Sequence, residues 1–226
     1  LLCIAVLAAV LYAWRLTAAG YANEYYSAAV LSMTQSLHNF FYFALDPGGF
    51  ITPDKPPFAF WVQALSARIF GFSPGSMLAP QAVAGVATVL VVHHLVRRGW
   101  GDAAALLSAL VVTLTPITVA TTRDNLPDAI LVLLMTLGAW GFLNALRTPR
   151  LRPLLVAAVM VGLAFNTKML QAYLVVPAGV LIYFAASSVP MKRRIGYLLA
   201  AAAVLFAVSG AWMAAVDLTP ADQRPY

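Results

Sequence analysis

The chain has 226 residues, of which 62% are hydrophobic and only 10% are charged. A soluble globular domain is nearer half apolar and a quarter charged, so this composition excludes a protein whose whole surface faces water. The formal net charge of +6 is compatible with nucleic-acid binding. The positive residues are segregated by loop, however, and we therefore exclude a nucleic-acid partner.

The two ends of the sequence and its single cysteine limit the domain organisation. Cys3 excludes a disulfide within the chain, and no Cys-x-x-Cys pattern indicates a metal or redox site. The sequence begins inside an apolar run, has no recognisable signal peptide and stops in the polar segment 217–226. We therefore expect residues 1–226 to be the N-terminal transmembrane module of a longer protein, whose C-terminal part lies outside this chain.

Seven apolar segments are candidates for membrane-spanning helices, each of which needs about 20 residues. The fifth segment is short. It is either tilted, buried among its neighbours, or continuous with the sixth through a break at residues 166–168. The fold class is therefore all-α, a polytopic transmembrane bundle of about seven spans. The predicted spans are 1–19, 77–96, 103–121, 127–146, 153–166, 170–188 and 196–216.

Positive and negative residues fall in different connections between these spans. Seven of the eight acids lie in the odd-numbered connections and the C-terminal segment, and the exception is Asp102. Because cytoplasmic loops are enriched in Lys and Arg, we expect a cytoplasmic N-terminus and acid-rich loops on the extracytoplasmic side of the cell membrane. Three even-numbered connections hold eight of the 14 Lys and Arg residues, namely Arg97, Arg98, Arg147, Arg150, Arg152, Lys192, Arg193 and Arg194.

The first connection, residues 20–76, is too long for a simple loop. Apolar residues from 30 to 41 recur at helical spacing after Asn23, which is a good N-cap. Those from 58 to 69 do the same between a Pro-Pro pair and Gly71, which predicts the start and the end of a helix. Both predicted helices are amphipathic and rich in aromatic residues, so we expect them to lie in the membrane interface.

Two polar groups in this first connection are candidates for chemistry. Glu24 stands at the start of the first predicted interfacial helix, where a carboxylate either acts as a general base or simply stabilises the helix N-terminus. Asp54 and Lys55 precede the second helix. Lys55 suits a phosphate and Asp54 suits a divalent metal, but a solvated charge pair before a helix explains the same residues.

A third polar group lies at the outer mouth of the third and fourth spans. It contains Arg123, Asp124 and Asn125, followed by Asp128 one residue inside the helix that Pro127 begins. An ionisable residue at membrane depth is by default a functional hypothesis. The alternative is that Asn125 and Asp128 only cap the helix.

Lys168 is the only charge between the fifth and sixth spans, and it is either a phosphate contact or a lysine that extends to the interface. Together the acids of the outer face suit a general base or a hard cation, and its cations suit a phosphate. A nucleotide donor normally requires a Gly-rich phosphate loop, and the sequence contains none. A phosphate-bearing lipid that enters from the bilayer fits better.

The order of these motifs resembles the GT-C membrane glycosyltransferases, specifically glycosyltransferase family 39. This family includes lipid A aminoarabinose transferases and protein O-mannosyltransferases, and the motifs are most similar to its bacterial members. The resemblance implies a bundle of spans with two juxtamembrane helices in the first extracytoplasmic loop. The motifs are Asn23-Glu24-Tyr25-Tyr26, Asp54-Lys55-Pro56-Pro57 and Arg123-Asp124-Asn125-Leu126-Pro127-Asp128.

The resemblance also implies an activity. Members of the family move a sugar from a polyprenyl-phosphate donor to an acceptor in the cell envelope (a lipid, glycan or protein), usually with inversion. Glu24 and Asp128 match the two catalytic acids, although the first is normally Asp in the aminoarabinose transferases. Lys55 matches the lysine that contacts the donor phosphate, and the positive charge of Arg123 and Lys168 suits the same role.

A divalent metal is the one cofactor that the resemblance suggests. Asp54 matches an acid that can bind it, and Asp124 is a second, weaker candidate. The histidines that complete such a site would lie beyond residue 226. The aromatic residues Tyr25, Tyr26 and Trp61 suit both sugar faces and isoprenoid.

A membrane transporter or flippase of a lipid-linked substrate is the main alternative function. Transporters place polar sites at the bilayer midplane, on broken helices in repeated halves. Here the centres of the spans are almost free of charge, and no internal repeat is visible. A non-catalytic scaffold is a third possibility, but it does not explain why acids and cations from three loops share one face.

Overall fold

The computed structural model describes residues 1–225, and it is all-helical over that range, without a β-strand. Two short 3-10 helices, Met169–Val175 and Ala221–Gln223, accompany the α-helices. The α-helices are α1 (Leu2–Ala13), α2 (Glu24–Gln35), α3 (Leu37–Tyr42), α4 (Phe58–Phe70), α5 (Pro74–Leu114), α6 (Pro116–Thr122), α7 (Asp128–Arg147), α8 (Leu151–Lys168), α9 (Val176–Ala186) and α10 (Met191–Leu218).

Four helical stretches within residues 1–225 are long and apolar enough to cross a membrane. They are Pro74–Leu114, Asp128–Arg147, Leu151–Ala186 and Met191–Leu218. Helices α1 and α4 are apolar but shorter. The all-α prediction is confirmed, and the chain is a multi-pass membrane protein.

Helix α1 is shorter than the predicted span 1–19. It ends at Ala13, and the chain continues through a series of turns to residue 22. The residue after Ala13, Trp14, has an extended backbone with ψ of 119°, and the backbone of Arg15 is left-handed, with φ of 51°. Because neither conformation continues a right-handed helix, the helix stops although the following residues are still partly apolar.

Helix α5 contains a reversal at Gly101. This glycine has φ of 80° and ψ of −178°, a combination that is essentially restricted to glycine. The Tyr12 side chain contacts residues on both sides of the break. Its hydroxyl lies 3.3 Å from the carbonyl oxygen of Val112, and a Cβ added to Gly85 would lie 2.9 Å from its ring. The two halves of α5 therefore lie side by side, over the regions predicted as spans 77–96 and 103–121.

Helices α8 and α9 form a second reversal. Met169 has φ of 50° and follows α8 directly, close to the break predicted at residues 166–168. A 3-10 turn leads into α9, whose Tyr183 is buried in the same apolar cluster as Leu154 and Ala158 of α8. Helix α9 therefore runs back toward the end of the bundle at which α8 begins, and its Tyr183 ring lies near Phe142 of α7.

The first connection folds into a packed unit built from α2, α3 and α4. The Asn23 side chain caps α2, and Gly71 with φ of 82° ends α4, both as predicted. The helix predicted over the apolar residues 30–41 is instead broken at Ser36, whose backbone is extended and whose side chain caps α3. The apolar spacing continues across Ser36, which explains why the prediction joined α2 and α3.

An aromatic core holds this unit against the start of α5. Phe43 and Phe60 are fully buried and stack with their ring centroids 4.3 Å apart. Met33 and Met77 complete the cluster, so α2 and α5 share it. Burial of each large apolar side chain contributes about 1.5–3 kcal/mol. The functional candidates of the first loop are thus carried by a rigid unit.

The charged connections lie at opposite ends of the bundle. Helix α7 has 20 residues, a length of about 30 Å, and it separates the two ends. At one end, Arg98 donates to the Asn144 side chain and Arg147 donates to the Arg98 carbonyl. At the other end, the first connection meets the end of α10, where Tyr42 and Thr219 hydroxyls lie 2.8 Å apart. The separation of charges in the sequence is therefore also a separation in space.

Candidate active site

The start of α2 is the point where the candidate segments meet. The fully buried Asn125 side chain accepts a hydrogen bond from the backbone N–H of Asn23 at 3.0 Å and donates to its carbonyl oxygen at 2.9 Å. It also donates to the Ser27 hydroxyl at 2.8 Å. The Gln63 side chain of α4 donates to the Asn125 carbonyl oxygen at 3.1 Å. These bonds fasten the loop before α7 to the first turn of α2.

Glu24 is the first residue of α2 and directly follows the Asn23 cap. Its side chain is exposed, and it forms no ion pair within residues 1–225. A carboxylate in the first turn also interacts favourably with the helix dipole. The geometry therefore satisfies both interpretations of the sequence, since a helix-stabilising carboxylate at this position remains open to a substrate.

Asp54 and Lys55 form an ion pair with each other, and Tyr26 of α2 donates a hydrogen bond to Asp54 Oδ1 at 3.3 Å. Hydrogen bonding and charge from Lys55 hold the pKa of the Asp54 carboxyl below its usual range. Burial, followed by the negative charge of Asp54, raises the pKa of Tyr26 to about 12. At neutral pH Tyr26 is therefore a protonated donor and Asp54 an ionised acceptor.

Asp128 pairs with Lys168, with 2.7 Å between the carboxylate oxygen and Nζ. Both side chains are 25% exposed, so the pair is shielded but reachable. Asp128 is the first residue of α7, as predicted. The two interpretations of Lys168 did not include a carboxylate partner. Lys168 is the last residue of α8, whereas Asp128 is the first residue of α7. The packing of these two helices therefore brings the two side chains together.

Arg123 and Asp124 have different environments. Asp124 Oδ1 accepts from the backbone N–H of Asn125 at 2.7 Å, so this oxygen stabilises its own loop. Arg123 ends α6 and is half-buried. In the described part of the chain its guanidinium takes part in no ion pair. Arg123 therefore remains the more available of the two for a ligand.

The predicted metal ligands do not form a complete site in this part of the chain. Among residues 1–225 no group of three His, Cys, Asp or Glu side chains converges. Both oxygens of the Asp54 carboxylate already have partners, Tyr26 on one and Lys55 on the other. Asp124 is likewise engaged with its own loop. The residues present do not fit a divalent metal by themselves.

The three aromatic candidates differ in exposure. Tyr25 is 43% exposed beside Glu24. Tyr26 is buried against Phe60, with ring centroids 4.7 Å apart. The Trp61 indole N–H donates to the carbonyl oxygen of residue 40 at 2.7 Å, and its ring stacks on the neighbouring phenylalanines. Of the three, Tyr25 presents the most open face, while Tyr26 and Trp61 belong to the packing of the first loop.

The alternative in which Asn125 caps the helix of Asp128 does not match the structure. Pro127 occupies the N-cap position of α7, and no side chain caps it. The Asn125 amide instead bonds across the site to Asn23 and Ser27, which lie about 100 positions earlier in the chain. Gln63 was also missed. The available signal was a glutamine on an otherwise apolar stretch of α4, since a buried amide group usually has a hydrogen-bond partner; here Nε2 of the fully buried Gln63 has one in the Asn125 carbonyl oxygen.

The fold and the site together define a multi-pass membrane protein with acids and cations gathered at one end of a helix bundle. The family model described as dolichyl-phosphate-mannose-protein mannosyltransferase matches residues 54–213. The chain belongs to this family and is a GT-C glycosyltransferase family 39-like protein.

Named relatives agree with this assignment. The chain is 48% identical over 205 residues to "Putative mannosyltransferase YycA" of Bacillus subtilis, covering 91% of this chain and 30% of that protein. It is 27% identical over 178 residues to "Undecaprenyl phosphate-alpha-4-amino-4-deoxy-L-arabinose arabinosyl transferase 1" of Proteus mirabilis, covering 76% and 32%. The chain thus spans about a third of the length of these curated relatives.

Solved structures show the same fold. The crystal structure of ArnT from Cupriavidus metallidurans bound to undecaprenyl phosphate matches with a TM-score of 0.72 and 19% identity, over 96% of this chain and 41% of that one. Its apo structure matches with a TM-score of 0.71. At this identity the likeness concerns the fold alone.

Proposed function

We propose that the protein is a membrane glycosyltransferase that moves a sugar from a polyprenyl-phosphate donor to an acceptor in the cell envelope. The observation that carries the proposal is the meeting of Glu24, the Asp54–Lys55 pair and the Asp128–Lys168 pair around the start of α2. Family membership supports the reaction type. A relative named for undecaprenyl phosphate-linked aminoarabinose and the ArnT structure with undecaprenyl phosphate support the donor class.

The proposed membrane arrangement has seven crossings, with the acid-rich end outside the cell membrane. Helix α1, the two halves of α5 (the second continuing into α6), α7, α8, α9 and α10 each cross once. The reversals at Gly101 and Met169 support this count. Helices α2 and α4 lie along the outer surface as juxtamembrane helices. The arginine-rich connections face the cytoplasm, because they lie at the opposite end from the acids.

The reaction is a displacement at the anomeric carbon of the sugar. The acceptor oxygen bonds to that carbon from one face, the bond to the phosphate oxygen breaks on the other, and the configuration inverts. Glu24 takes the proton of the acceptor hydroxyl, since its carboxylate is exposed and forms no ion pair with any residue of the described range 1–225. The exposed ring of Tyr25 beside it offers an apolar face to a sugar.

The charge that develops on the departing polyprenyl phosphate requires cations. Lys55 and Arg123 are these cations, because preorganised positive charge near a leaving group lowers the barrier. Lys168 is a third cation near the phosphate, and it is held in place by its ion pair with Asp128, the second carboxylate of the site. The bilayer holds the isoprenoid chain of the donor.

The proposal is tested with the full-length protein and a radiolabelled polyprenyl-phosphate sugar. We expect the wild type to release polyprenyl phosphate and Glu24→Gln to lower turnover by at least 100-fold, a loss within the range attributed to a positioned general base. The matched control is Asp222→Asn, which removes the charge of an exposed acid outside the site, and it should retain full turnover.

Two results would count against the proposal. Unchanged turnover in Glu24→Gln would remove this residue from the reaction. Movement of the intact lipid-linked sugar across a vesicle membrane, without release of polyprenyl phosphate, would identify a transporter or flippase instead.

A further inference from the structure

Asn125 has a role that the proposed reaction does not yet explain. Within residues 1–225 its side-chain amide bonds to no charged side chain, and the residue is 0% exposed. Each polar atom of its amide nevertheless has a partner. Oδ1 accepts from the Asn23 N–H, and Nδ2 donates to the Asn23 carbonyl oxygen and to Ser27 Oγ. Both backbone groups of the residue directly before Glu24 are therefore bound by one side chain.

We infer that Asn125 is a positioning residue that sets Glu24 relative to Asp128, an inference that rests on the proposed function. Asn125 lies three positions before Asp128 in the chain. Its amide is bonded to the residue next to Glu24. The hydrogen-bonded Asn23–Asn125 pair therefore connects the backbone next to Glu24 with the loop that leads to Asp128, although the two carboxylates lie on different helices.

The chemistry of the pair requires a carboxamide. A planar amide with a donor and an acceptor side by side matches the N–H and C=O of one residue. The orientation of this amide follows from its partners, since a backbone N–H can face only the oxygen and a carbonyl can face only the nitrogen. An aspartate keeps the acceptor and loses both donors. An alanine loses all three bonds and leaves the Asn23 groups unpaired.

Asn125 is itself fixed from two sides. Its backbone N–H donates to Asp124 Oδ1, and its carbonyl oxygen accepts from the fully buried Gln63 of α4. Rotation of the loop before α7 is therefore restrained independently of α2. Because α4 also packs against α2 in the aromatic core, the pair closes a ring of contacts from α2 through the loop to α4. This rigidity is what a positioning residue needs.

The expected consequence is a loss of turnover rather than of donor binding. A displacement of about 1 Å at a catalytic group lowers the rate on the order of 100-fold. Lys55 is bound to Asp54 and not to Asn125, so the contact with the donor phosphate stays intact. We therefore expect Asn125→Ala to lower kcat by about 10–100-fold and to change the KM for the donor by less than about two-fold.

The experiment compares three variants of the full-length protein. Asn125→Ala and Asn125→Asp test the pair. Asn39→Ala is the matched control, because Asn39 is a buried asparagine of α3 whose Nδ2 donates to Ser32 and to the Pro47 carbonyl oxygen. Release of polyprenyl phosphate gives kcat and KM. Amide hydrogen exchange of the peptide around residues 20–30 reports the Asn23 N–H directly and does not require turnover.

We expect both Asn125 variants to lose kcat with KM retained, while Asn39→Ala loses activity only in proportion to its folded fraction. Exchange at Asn23 should become faster in Asn125→Ala and stay slow in Asn125→Asp, which keeps the acceptor. Wild-type kcat in a folded Asn125→Ala protein would overturn the inference. So would a loss that follows the folded fraction, as in the control. Absence of turnover in the wild type would overturn the proposed function instead. In that case, unchanged amide exchange at Asn23 in Asn125→Ala would still show that Asn125 does not hold Asn23 in place.

Discussion

The protonation states in the site are set by neighbouring side chains. Lys55 keeps the pKa of Asp54 below its usual range, and burial with the Asp54 charge raises the pKa of Tyr26 to about 12. The two shifts favour the same arrangement, in which the phenol donates and the carboxylate accepts. Tyr26 is thereby the link between α2 and the loop that carries Lys55. The Tyr26 hydroxyl and the Asp54 carboxylate are therefore already bonded to each other before a substrate binds.

The Tyr26→Phe variant tests this link through its pH dependence. The pKa of Tyr26 is raised in the folded state, so its contribution to stability is complete below pH 10 and is lost as pH rises through about 12. The pKa of Asp54 is lowered, so its contribution is present above the ordinary Asp value and is lost as pH falls below it. We expect Tyr26→Phe to cost about 1 kcal/mol near neutral pH.

Thermal unfolding of the full-length protein in detergent measures the effect. The difference in Tm between wild type and Tyr26→Phe should be constant near neutral pH and should shrink at both extremes. Tyr25→Phe is the control, since this neighbouring ring is largely exposed, and its Tm should match the wild type throughout. A Tm difference that does not change with pH would show that the hydrogen bond to Asp54 is not its source.

At the scale of elements, single residues decide where the helices reverse. Gly101 divides α5, and Met169 ends the helical path of α8, in both cases through a positive φ. The two reversals differ in their surroundings. A Cβ at Gly101 would meet no atom within 4 Å, so its requirement for glycine comes from the backbone alone. This makes Gly101 a clean position at which to test the reversal.

We expect Gly101→Ala to destabilise the protein by about 1–3 kcal/mol, because its φ and ψ values lie in a region reserved for glycine. The matched control is Gly99→Ala. Gly99 lies in the same helix, also with no atom within 4 Å of an added Cβ, and its backbone is helical. Alanine there should stabilise by about 0.5–1 kcal/mol. Thermal unfolding decides, and equal effects of the two substitutions would contradict the reversal at Gly101.

At the scale of the whole molecule, the first connection and the last long helix close the acid-rich end together. The Trp212 indole donates to the carbonyl oxygen of Phe41 at 2.9 Å, and Tyr42 meets Thr219. The arginine-rich connections are tied to one another at the opposite end. This polarity is the physical basis for the proposed orientation, since retention of Lys and Arg in the cytoplasm depends on a consistent charge difference between the two ends.

Cysteine labelling tests the orientation in a Cys3→Ser background. Pro47→Cys and Pro149→Cys place thiols in two exposed turns, one at each end of the bundle. We expect an impermeant thiol reagent to modify Pro47→Cys in intact cells and Pro149→Cys only after permeabilisation. The proposed arrangement fails if both positions react from the same side.

Much of the local structure could be predicted from the sequence. The cap at Asn23, the end of α4 at Gly71 and the start of α7 at Asp128 depend on residues within one helical turn. Errors arose where a regular apolar pattern continued across a local break. The helix predicted over residues 30–41 is interrupted at Ser36, and α1 stops before residue 19. A hydropathy pattern indicates which residues are buried, but it does not predict the backbone angles of a single residue that end a helix.

The sequence by itself determined that this is an all-helical membrane protein, in which most of the acids and more than half of the Lys and Arg residues fall in connections at opposite ends of the spans. It also determined which residues are candidates for the site, because composition, charge pattern and short motifs are local properties. Only the tertiary structure decided how the candidates pair. Lys168 meets Asp128 across 40 positions and Asn125 meets Asn23 across 102. Such contacts depend on the packing of whole helices, so neither sequence spacing nor residue type could specify them.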